Sequence, residues 1–489
     1  MREFSITGEE GEVVASDELF LAIDIGTTNT KVAIFTSEGK LLSFSKQRCT
    51  GSVINRYYEI DPESWWNATK RAIAGLPRDL KKRVSVLSIT GQGPTIVPVN
   101  ENGQIVHKAI TWLDTRGGKK VKSILKMGVD EQTAAVLAKL IWLNNRLKDK
   151  TYLLQPNDYI CMKLTGKIVN MSFDTPGFRP PWCESNLMQR IGLKGHFFEA
   201  DFIPAGSEIA GVIPDAAQEI GIPSNVSVIA GAPDFAAALV GTGTVEDGYL
   251  CDRGGTSQGI NLCTKKKVSC DGLMTSPFFI KGFWKISGVM NTTGKAMDWF
   301  CSKVADCKDL LKGASDILED VKRPTNLIFL PYLNGERSPY WNVNARGVFF
   351  GLTLEVDRMR LLVSIMEGVG FAITDVVNRM EGEGCIIKKV RTTGGQTSNS
   401  LWNQIKADIL GREIEVPSVN ESELLGAAIF AMSYAYGKTI TEISKKVVKI
   451  ANVFYPDHER HDRYMQLFEV YRELYRRNKD LFDVLVELR

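Results

Sequence analysis

Residues 19–40, LFLAIDIGTTNTKVAIFTSEGK, constrain the fold more than any other stretch of the chain. An apolar run from Leu19 to Ile25 carries one acid, Asp24. Gly-Thr-Thr-Asn-Thr-Lys follows, then a second apolar run from Val32 to Phe35, then a turn at Glu38–Gly39. The pattern predicts a β-hairpin whose tight loop holds small residues, hydroxyls and amides, closed by Lys31. An acid at a strand end, meeting exposed N–H and O–H groups, suits a metal-bound polyphosphate. The carboxylate can hold a hydrated Mg²⁺, and the loop donors can take phosphate oxygens. This is not a P-loop, because Gly-x-x-x-x-Gly-Lys-Ser/Thr is absent and no helical pattern follows directly. The same residues would also make a polar hairpin with an incidental aspartate, and the segment alone does not choose between the two.

Composition narrows the setting. A chain of 489 residues calls for two domains or more. Sixty basic and 57 acidic residues leave a net charge of +3, which gives no reason to invoke nucleic acid or a membrane. Nine cysteines without a Cys-x-x-Cys pair, and only four histidines, argue against a disulfide framework, a zinc site or a His-based triad. A reducing, cytoplasmic setting is the simplest expectation. Residues 1–18 are polar and acidic, expected as a disordered tail rather than a signal peptide. No unbroken apolar stretch reaches transmembrane length.

Strands and helices alternate along the rest. Asp61-Pro62 marks a helix start, with Asp61 as cap and the helix running toward Ala74. A strand from Val84 to Ile89 ends in Thr-Gly-Gln-Gly-Pro-Thr, residues 90–95. Residues 131–148 read as helix, and 150–225 as loops rich in Pro and Gly. A buried strand from Val226 to Gly231 is closed by Ala-Pro-Asp-Phe, residues 232–235. Near residue 248 the opening theme returns: Tyr249-Leu-Cys-Asp-Arg-Gly-Gly-Thr-Ser is a strand followed by a Gly/Thr/Ser loop. Val390-Arg-Thr-Thr-Gly-Gly-Gln-Thr-Ser repeats it, followed by a helix from Leu401 to Leu410. Tyr464, Leu467, Phe468, Tyr471 and Leu474 recur at helical spacing in a closing amphipathic helix. The expected division is a tail over 1–18, an N-terminal domain over 19–247 and a C-terminal domain over 248–489.

Taken together, these segments resemble the FGGY carbohydrate kinase family over nearly the whole chain. The Asp24–Lys31 loop is similar to its first phosphate loop. Ala109-Ile-Thr-Trp-Leu-Asp-Thr-Arg resembles its Trp-x-Asp-x-Arg segment. Lys139-Leu-Ile-Trp-Leu-Asn-Asn fits one family signature, with Val136 where Pro, Ser or Thr is usual. Gly347-Val-Phe-Phe-Gly-Leu through Ser364-Ile-Met-Glu-Gly fits the other, with Arg360 where an acid, amide or His is usual. Gly231-Ala-Pro-Asp-Phe resembles the segment of the catalytic acid, Gly254-Gly-Thr-Ser the second phosphate loop, and Gly394-Gly-Gln-Thr-Ser-Asn the adenosine loop.

The resemblance implies an α/β, two-domain ribonuclease H-like or actin-like ATPase fold, closing on its substrate to exclude water. It implies ATP and Mg²⁺ as cofactors, a small-molecule carbohydrate as substrate, and a possible homodimer. Asp24 would hold Mg²⁺ largely through water, with Asp234 as a second carboxylate. Thr27, Thr28 and Lys31 would face the phosphates, as would Gly255, Thr256 and Ser257. Gly294, Gly394, Gly395 and Asn399 would border the nucleotide. Asp234 would be the general base, orienting the attacking hydroxyl and accepting its proton late. By residue type alone, Asp234 equally suits the cap of a helix starting at Phe235. Gln92, Gly93, Trp112, Asp114, Arg116, Asp234 and Phe235 would line the substrate pocket or orient residues that do. Otherwise Asp114 and Arg116 would be a weak surface pair, and Trp112 ordinary core packing. Trp142 is expected in the core, and Glu336-Arg337 in a structural loop.

For the substrate, xylulose kinases of this family usually read Gly-Gln-Met-His-Gly where this chain reads Gly91-Gln92-Gly93-Pro94-Thr95. Pro94 offers no donor, and Gly93 would enlarge the pocket. D-xylulose and glycerol lose weight against another ketose, a gluconate-like sugar acid or an erythritol-like polyol. A non-enzymatic, actin-like or chaperone-like ATP switch is the alternative; it would need neither Asp234 nor the Trp-x-Asp-x-Arg segment. A dinucleotide oxidoreductase is disfavoured, since no Gly-x-Gly-x-x-Gly leads from a strand into a helix.

Overall fold

A computed structural model describes residues 18–49, 51–54, 57–305, 318 and 320–488. The N-terminal tail lies outside the described residues, apart from Glu18. The chain packs as two compact units. Among the described residues, the first comprises those of 18–174, 178–237 and 423–447, and the second those of 175–177, 238–422 and 448–488. The chain therefore leaves the first unit ten residues before the expected boundary, and residues 423–447 return to it.

The first unit is built on β1 (Leu19–Ile25), β2 (Asn29–Phe35), β3 (Leu41–Arg48), β4 (Val84–Gly91), β5 (Glu208–Gly211) and β6 (Ser227–Ile229), in the order β5-β6-β4-β1-β2-β3. The hairpin forms as its pattern predicts: β1 pairs antiparallel with β2, which sets Asp24 opposite Lys31. All seven residues of β1 are buried, because helices cover both faces of a strand central to the sheet. Strands β4 and β6 add in parallel on the other side, so the carboxyl ends of β1, β4 and β6 share one edge.

The helix predicted from Asp61-Pro62 spans Pro62–Ala74, with Asp61 accepting from the Glu63 amide. Residues 150–225 hold more regular structure than their Pro and Gly content predicts. Helix Pro156–Thr165 starts on a proline at its first position. It is boxed by Gln155 and Asp158 and stopped by Gly166 in the left-handed conformation. Here Pro and Gly bracket a helix rather than break one.

The second unit repeats the plan with β7 (Tyr249–Gly254), β8 (Gln258–Thr264), β9 (Met274–Pro277), β10 (Trp284–Met290), β11 (Lys389–Thr393), β12 (Ile414–Pro417) and β13 (Ile450–Phe454), ordered β9-β10-β8-β7-β11-β12-β13. Again a first strand pairs antiparallel with a second, and later strands add in parallel on its other side. The turn Gly254–Ser257 thus holds the topological place in this unit that Gly26–Thr28 holds in the first.

Helix Arg358–Gly382 is long and apolar enough to cross a membrane, but 89% of its apolar window is buried, which makes it the central core helix of this unit. A search for unbroken apolar runs passes over it because Glu367 and Asp375 interrupt the run. Glu367 is fully buried and accepts from the Thr325 amide at 3.0 Å and the Tyr464 hydroxyl at 2.8 Å, tying the core helix to the closing helix His458–Glu487.

Burial, opposed by those donors, raises the Glu367 pKa to about 7, and burial raises those of Asp158 and Glu336 to about 7 as well. Each folded-state value lies above the unfolded one. The native state therefore holds extra protons between roughly pH 4 and 7, and stability falls as pH rises through that window. The thermal unfolding midpoint is expected to be lower at pH 8 than at pH 6. Glu367→Gln, which cannot ionise, should flatten that fall; a midpoint rising with pH, or an unchanged slope in the variant, would refute it.

Candidate active site

The candidate site residues Asp24, Gln92 and Asp234 of the first unit lie where its parallel strands end. Asp24 is the penultimate residue of β1 and is buried. Gln92 follows β4 directly, its amide donating to the Ile25 carbonyl at 2.8 Å. Asp234 opens the helix Asp234–Gly241 just after β6. Ligands of open α/β sheets gather at such carboxyl ends.

The frame that carries Asp234 is stiff. A Cβ on Gly231 would stand 1.8 Å from the Ile89 carbonyl oxygen, so only glycine lets the chain cross β4 there. The Thr90 hydroxyl donates to the Ala232 carbonyl at 2.6 Å, and Pro233 bridges to Gly91. Asp234 is half-buried, and one carboxylate oxygen accepts from the Phe235 amide at 2.5 Å. Phe235 stacks on Phe178 at 5.5 Å between ring centres, which anchors the helix start.

Three side chains from separate segments form a relay. Trp112 Nε1 donates to Thr27 Oγ1 at 3.0 Å, and Thr27 Oγ1 donates to Gln92 Oε1 at 3.0 Å. Trp112 is 40% exposed, so the core-packing reading is wrong for it. Thr27, expected among the phosphate contacts, has its hydroxyl bonded to Gln92 and Trp112. Thr28 is exposed at the loop tip, and Lys31 is half-buried opposite Asp24. The Gly93 position is not an enlarged pocket: a Cβ there would fall 2.4 Å from Gln155 Oε1, so the Gln155 side chain fills that space.

Asp114 and Arg116 are not a surface pair. Both side chains are essentially inaccessible. Arg116 Nε donates to Asp114 Oδ1 at 2.8 Å and Nη2 to Asp114 Oδ2 at 2.7 Å, while Nη2 also reaches Glu59 at 2.8 Å. The guanidinium lies 4.7 Å from the Tyr57 ring centre and 4.3 Å from that of Trp142. Trp142 is half-buried, one wall of a cation stack rather than core. Burial works against the Arg116 charge, but the hydrogen bonds it donates to Asp114 and Glu59 outweigh it and raise its pKa. Asp114 also accepts from the Tyr58 amide at 2.9 Å, so the pair ties the chain near residue 58 to that near 116.

In the second unit, three turns pack backbone to backbone. Gly255 and Thr256 are exposed at the tip of the β7–β8 turn, with Ser257 half-buried behind them. Gly294 N donates to the Gly255 carbonyl at 3.1 Å, and a Cβ on Gly294 would lie 2.3 Å from that oxygen. Gly394 has φ of +90°, and its Cβ would stand 2.3 Å from the Gly254 carbonyl, so two constraints demand glycine. Gly395 is exposed, with open space where its Cβ would be. Asn399 caps helix Ser400–Leu410, accepting from the Trp402 amide at 2.9 Å. Its oxygen is therefore engaged in the helix. The Glu336–Arg337 loop buttresses the turn beside Gly294: Glu336 accepts from the Asn291 amide at 2.9 Å, and Arg337 Nε donates to Asn291 Oδ1 at 2.7 Å.

Comparison with known proteins bears on this arrangement directly. The N-terminal domain model of the FGGY family of carbohydrate kinases matches residues 19–173, and its C-terminal domain model matches 253–435. The chain belongs to the FGGY family of carbohydrate kinases. It is 26% identical to a xylulose kinase of Staphylococcus xylosus over 481 residues, covering 93% of this chain and 99% of that protein. It is 26% identical to a gluconokinase of Bacillus subtilis strain 168 over 464 residues, covering 86% and 88%. A ligand-bound xylulose kinase structure from Lactobacillus acidophilus superposes with a TM-score of 0.84 at 21% identity, covering 96% and 100%. The fold is the two-domain, actin-like ATPase fold of the FGGY sugar kinases, and the protein is a phosphotransferase with an alcohol acceptor.

Within this FGGY kinase, sequence reasoning missed two residues. Lys139, in one family signature, is buried and donates to the carbonyls of Thr111 at 3.0 Å and Trp112 at 3.4 Å. Burial lowers its pKa to about 8, Asp114 opposing. It holds the backbone that carries the Trp112 indole. The signal is present in the signature itself, which marks the family without showing the position. The second residue, Gln396, lies among the glycines of the second unit.

Proposed function

We propose that this kinase transfers the γ-phosphoryl group of ATP to a hydroxyl of a neutral sugar or polyol. The convergence of Asp24, Gln92 and Asp234 at the carboxyl ends of β1, β4 and β6 carries the reading. Asp234 would hold the attacking hydroxyl in line and accept its proton late, a task for which a weakly basic carboxylate suffices. Asp24 and Asp234 offer only carboxylate oxygens, the donors Mg²⁺ prefers. Among the described residues no group of three or more His, Cys, Asp or Glu side chains converges, so Mg²⁺ would take these carboxylates and complete its shell with water. When bound, the ion neutralises charge on the transferred group. In the second unit, the turns at Gly255–Ser257, Gly294 and Gly394–Gly395 would receive the nucleotide.

The relay supports the neutral acceptor. An indole N–H can only donate. Thr27 therefore accepts from Trp112 and gives its own hydrogen to Gln92 Oε1. That order leaves Gln92 Nε2, buried and without a partner among the described residues, as a fixed donor. A sugar hydroxyl or keto oxygen satisfies it. Arg116 is committed to Asp114 and Glu59, and Lys139 to two carbonyls, so neither is placed to balance a sugar carboxylate. A screen coupling ADP release to a panel of ketoses, polyols and aldonates tests this. Turnover is expected on a ketose or polyol, and turnover confined to aldonates would sink the neutral reading. Gln92→Glu, which exchanges the donor for an acceptor, should lower kcat/KM by about 100-fold, the effect of ~3 kcal/mol of mismatch.

A further inference from the structure

Gln396 sits where the three glycine turns of the second unit meet. It is 5% exposed. Its Nε2 lies 3.3 Å from the Gly255 carbonyl, 2.9 Å from Gln258 Oε1 and 3.2 Å from Thr293 Oγ1. It thus touches the β7–β8 turn and the turn before Gly294 from within the turn after β11.

The orientation of this amide is dictated from below. Asp252, on β7, accepts from Lys406 Nζ at 2.7 Å and Thr392 Oγ1 at 3.2 Å. Asp252 and Lys406 are both fully buried, an ion pair inside the unit. The other Asp252 oxygen accepts from Gln258 Nε2. A carboxylate only accepts, so Gln258 must turn its nitrogen toward Asp252 and its oxygen toward Gln396. Gln396 must then present its nitrogen inward, where the Gly255 carbonyl and the Thr293 hydroxyl oxygen also lie. One chain of hydrogen bonds runs from Lys406 to the three turns, with no freedom to flip.

The side chain also sets a steric condition. A Cβ on Gly254 would stand 2.6 Å from both Cδ and Oε1 of Gln396. Position 254 can be nothing larger than glycine while Gln396 fills this space.

We propose that Gln396 is a positioning residue for the nucleotide, a wedge whose amide locks the three glycine turns in one arrangement and whose bulk imposes glycine at 254. This rests on the reading of those turns as the nucleotide site. Calorimetric titration of the full chain with MgADP, alongside steady-state kinetics, tests it. Gln396→Met keeps the length and removes the donor. It is expected to weaken ADP binding about tenfold, a loss of ~1.4 kcal/mol, and to raise KM for ATP while leaving KM for the sugar unchanged. Gly254→Ala should weaken ADP binding further or fail to accumulate as folded protein. The double variant Gly254→Ala/Gln396→Gly should recover binding, or folded yield, relative to Gly254→Ala alone. Gln396→Met binding ADP like the wild type, equal rises in both KM values, or no recovery in the double variant would each overturn the proposal. A wild-type chain that binds no MgADP would instead overturn the nucleotide reading on which it stands.

Discussion

Asp234→Asn is expected to lower kcat by about 10²- to 10⁴-fold, the usual contribution of a positioned proton acceptor. Nucleotide binding and the unfolding midpoint should stay near wild type. Geometry is the first reason. Asp234 follows a segment held by the close approach of Gly231 to Ile89, by the Thr90–Ala232 hydrogen bond and by the Pro233–Gly91 bridge. The substituted amide keeps the shape and can still accept from the Phe235 N–H through its oxygen. It cannot take up a proton, and it is a poor ligand for a divalent cation. The frame therefore survives while the chemistry does not. Substrate-dependent ADP release measures the first effect and thermal unfolding the second. Wild-type kcat in Asp234→Asn would remove this residue from the reaction.

Removing Arg116 should act on stability instead. Arg116→Met is expected to destabilise the first unit by ~3–5 kcal/mol, the typical consequence of stripping one partner from a buried ion pair. Asp114 would keep two amide donors, those of Tyr58 and residue 116, but lose both guanidinium contacts in a place where its side chain meets no water. The Tyr57 and Trp142 rings would lose the cation between them. Because the Trp112 turn runs directly into this pair, KM for the sugar should rise as well. Urea unfolding followed by tryptophan fluorescence reads the loss. The double variant Asp114→Asn/Arg116→Met should regain part of it, since no buried carboxylate then remains at 114. A single variant as stable as the wild type would mean that the pair contributes nothing.

Part of the fold is legible in the amino-acid sequence itself. The hairpin at 19–40, the cap at Asp61-Pro62 and the closing helix from His458 rest on local periodicity and turn chemistry, which act over a few residues. Placement of Asp24, Gln92 and Asp234 just past or at strand ends is equally readable, because each lies at the close of an apolar run. Residues 150–225 mislead such a reading because Pro156 and Gly166 look like breakers until one asks which end of a helix each suits. Helix Arg358–Gly382 escapes notice as an apolar element because two acids interrupt its apolar face and are buried with internal partners, Tyr464 and Thr325 for Glu367 and Tyr340 for Asp375.

The amino-acid sequence by itself determined the family, the two repeated strand-and-loop themes and the identity of the acids at the strand ends. These properties live in spacing along the chain. Tertiary structure alone decided what the polar groups do. Thr27 meets Gln92 across 65 residues and Trp112 across 85, and Gln396 meets Gly255 across 141. No local pattern encodes such meetings. They arise because a buried polar atom must find a partner wherever packing brings one, and that requirement turned an apparent surface pair into a buried anchor, joined Thr27 to Gln92 and Trp112, and set Gln396 against two neighbouring turns.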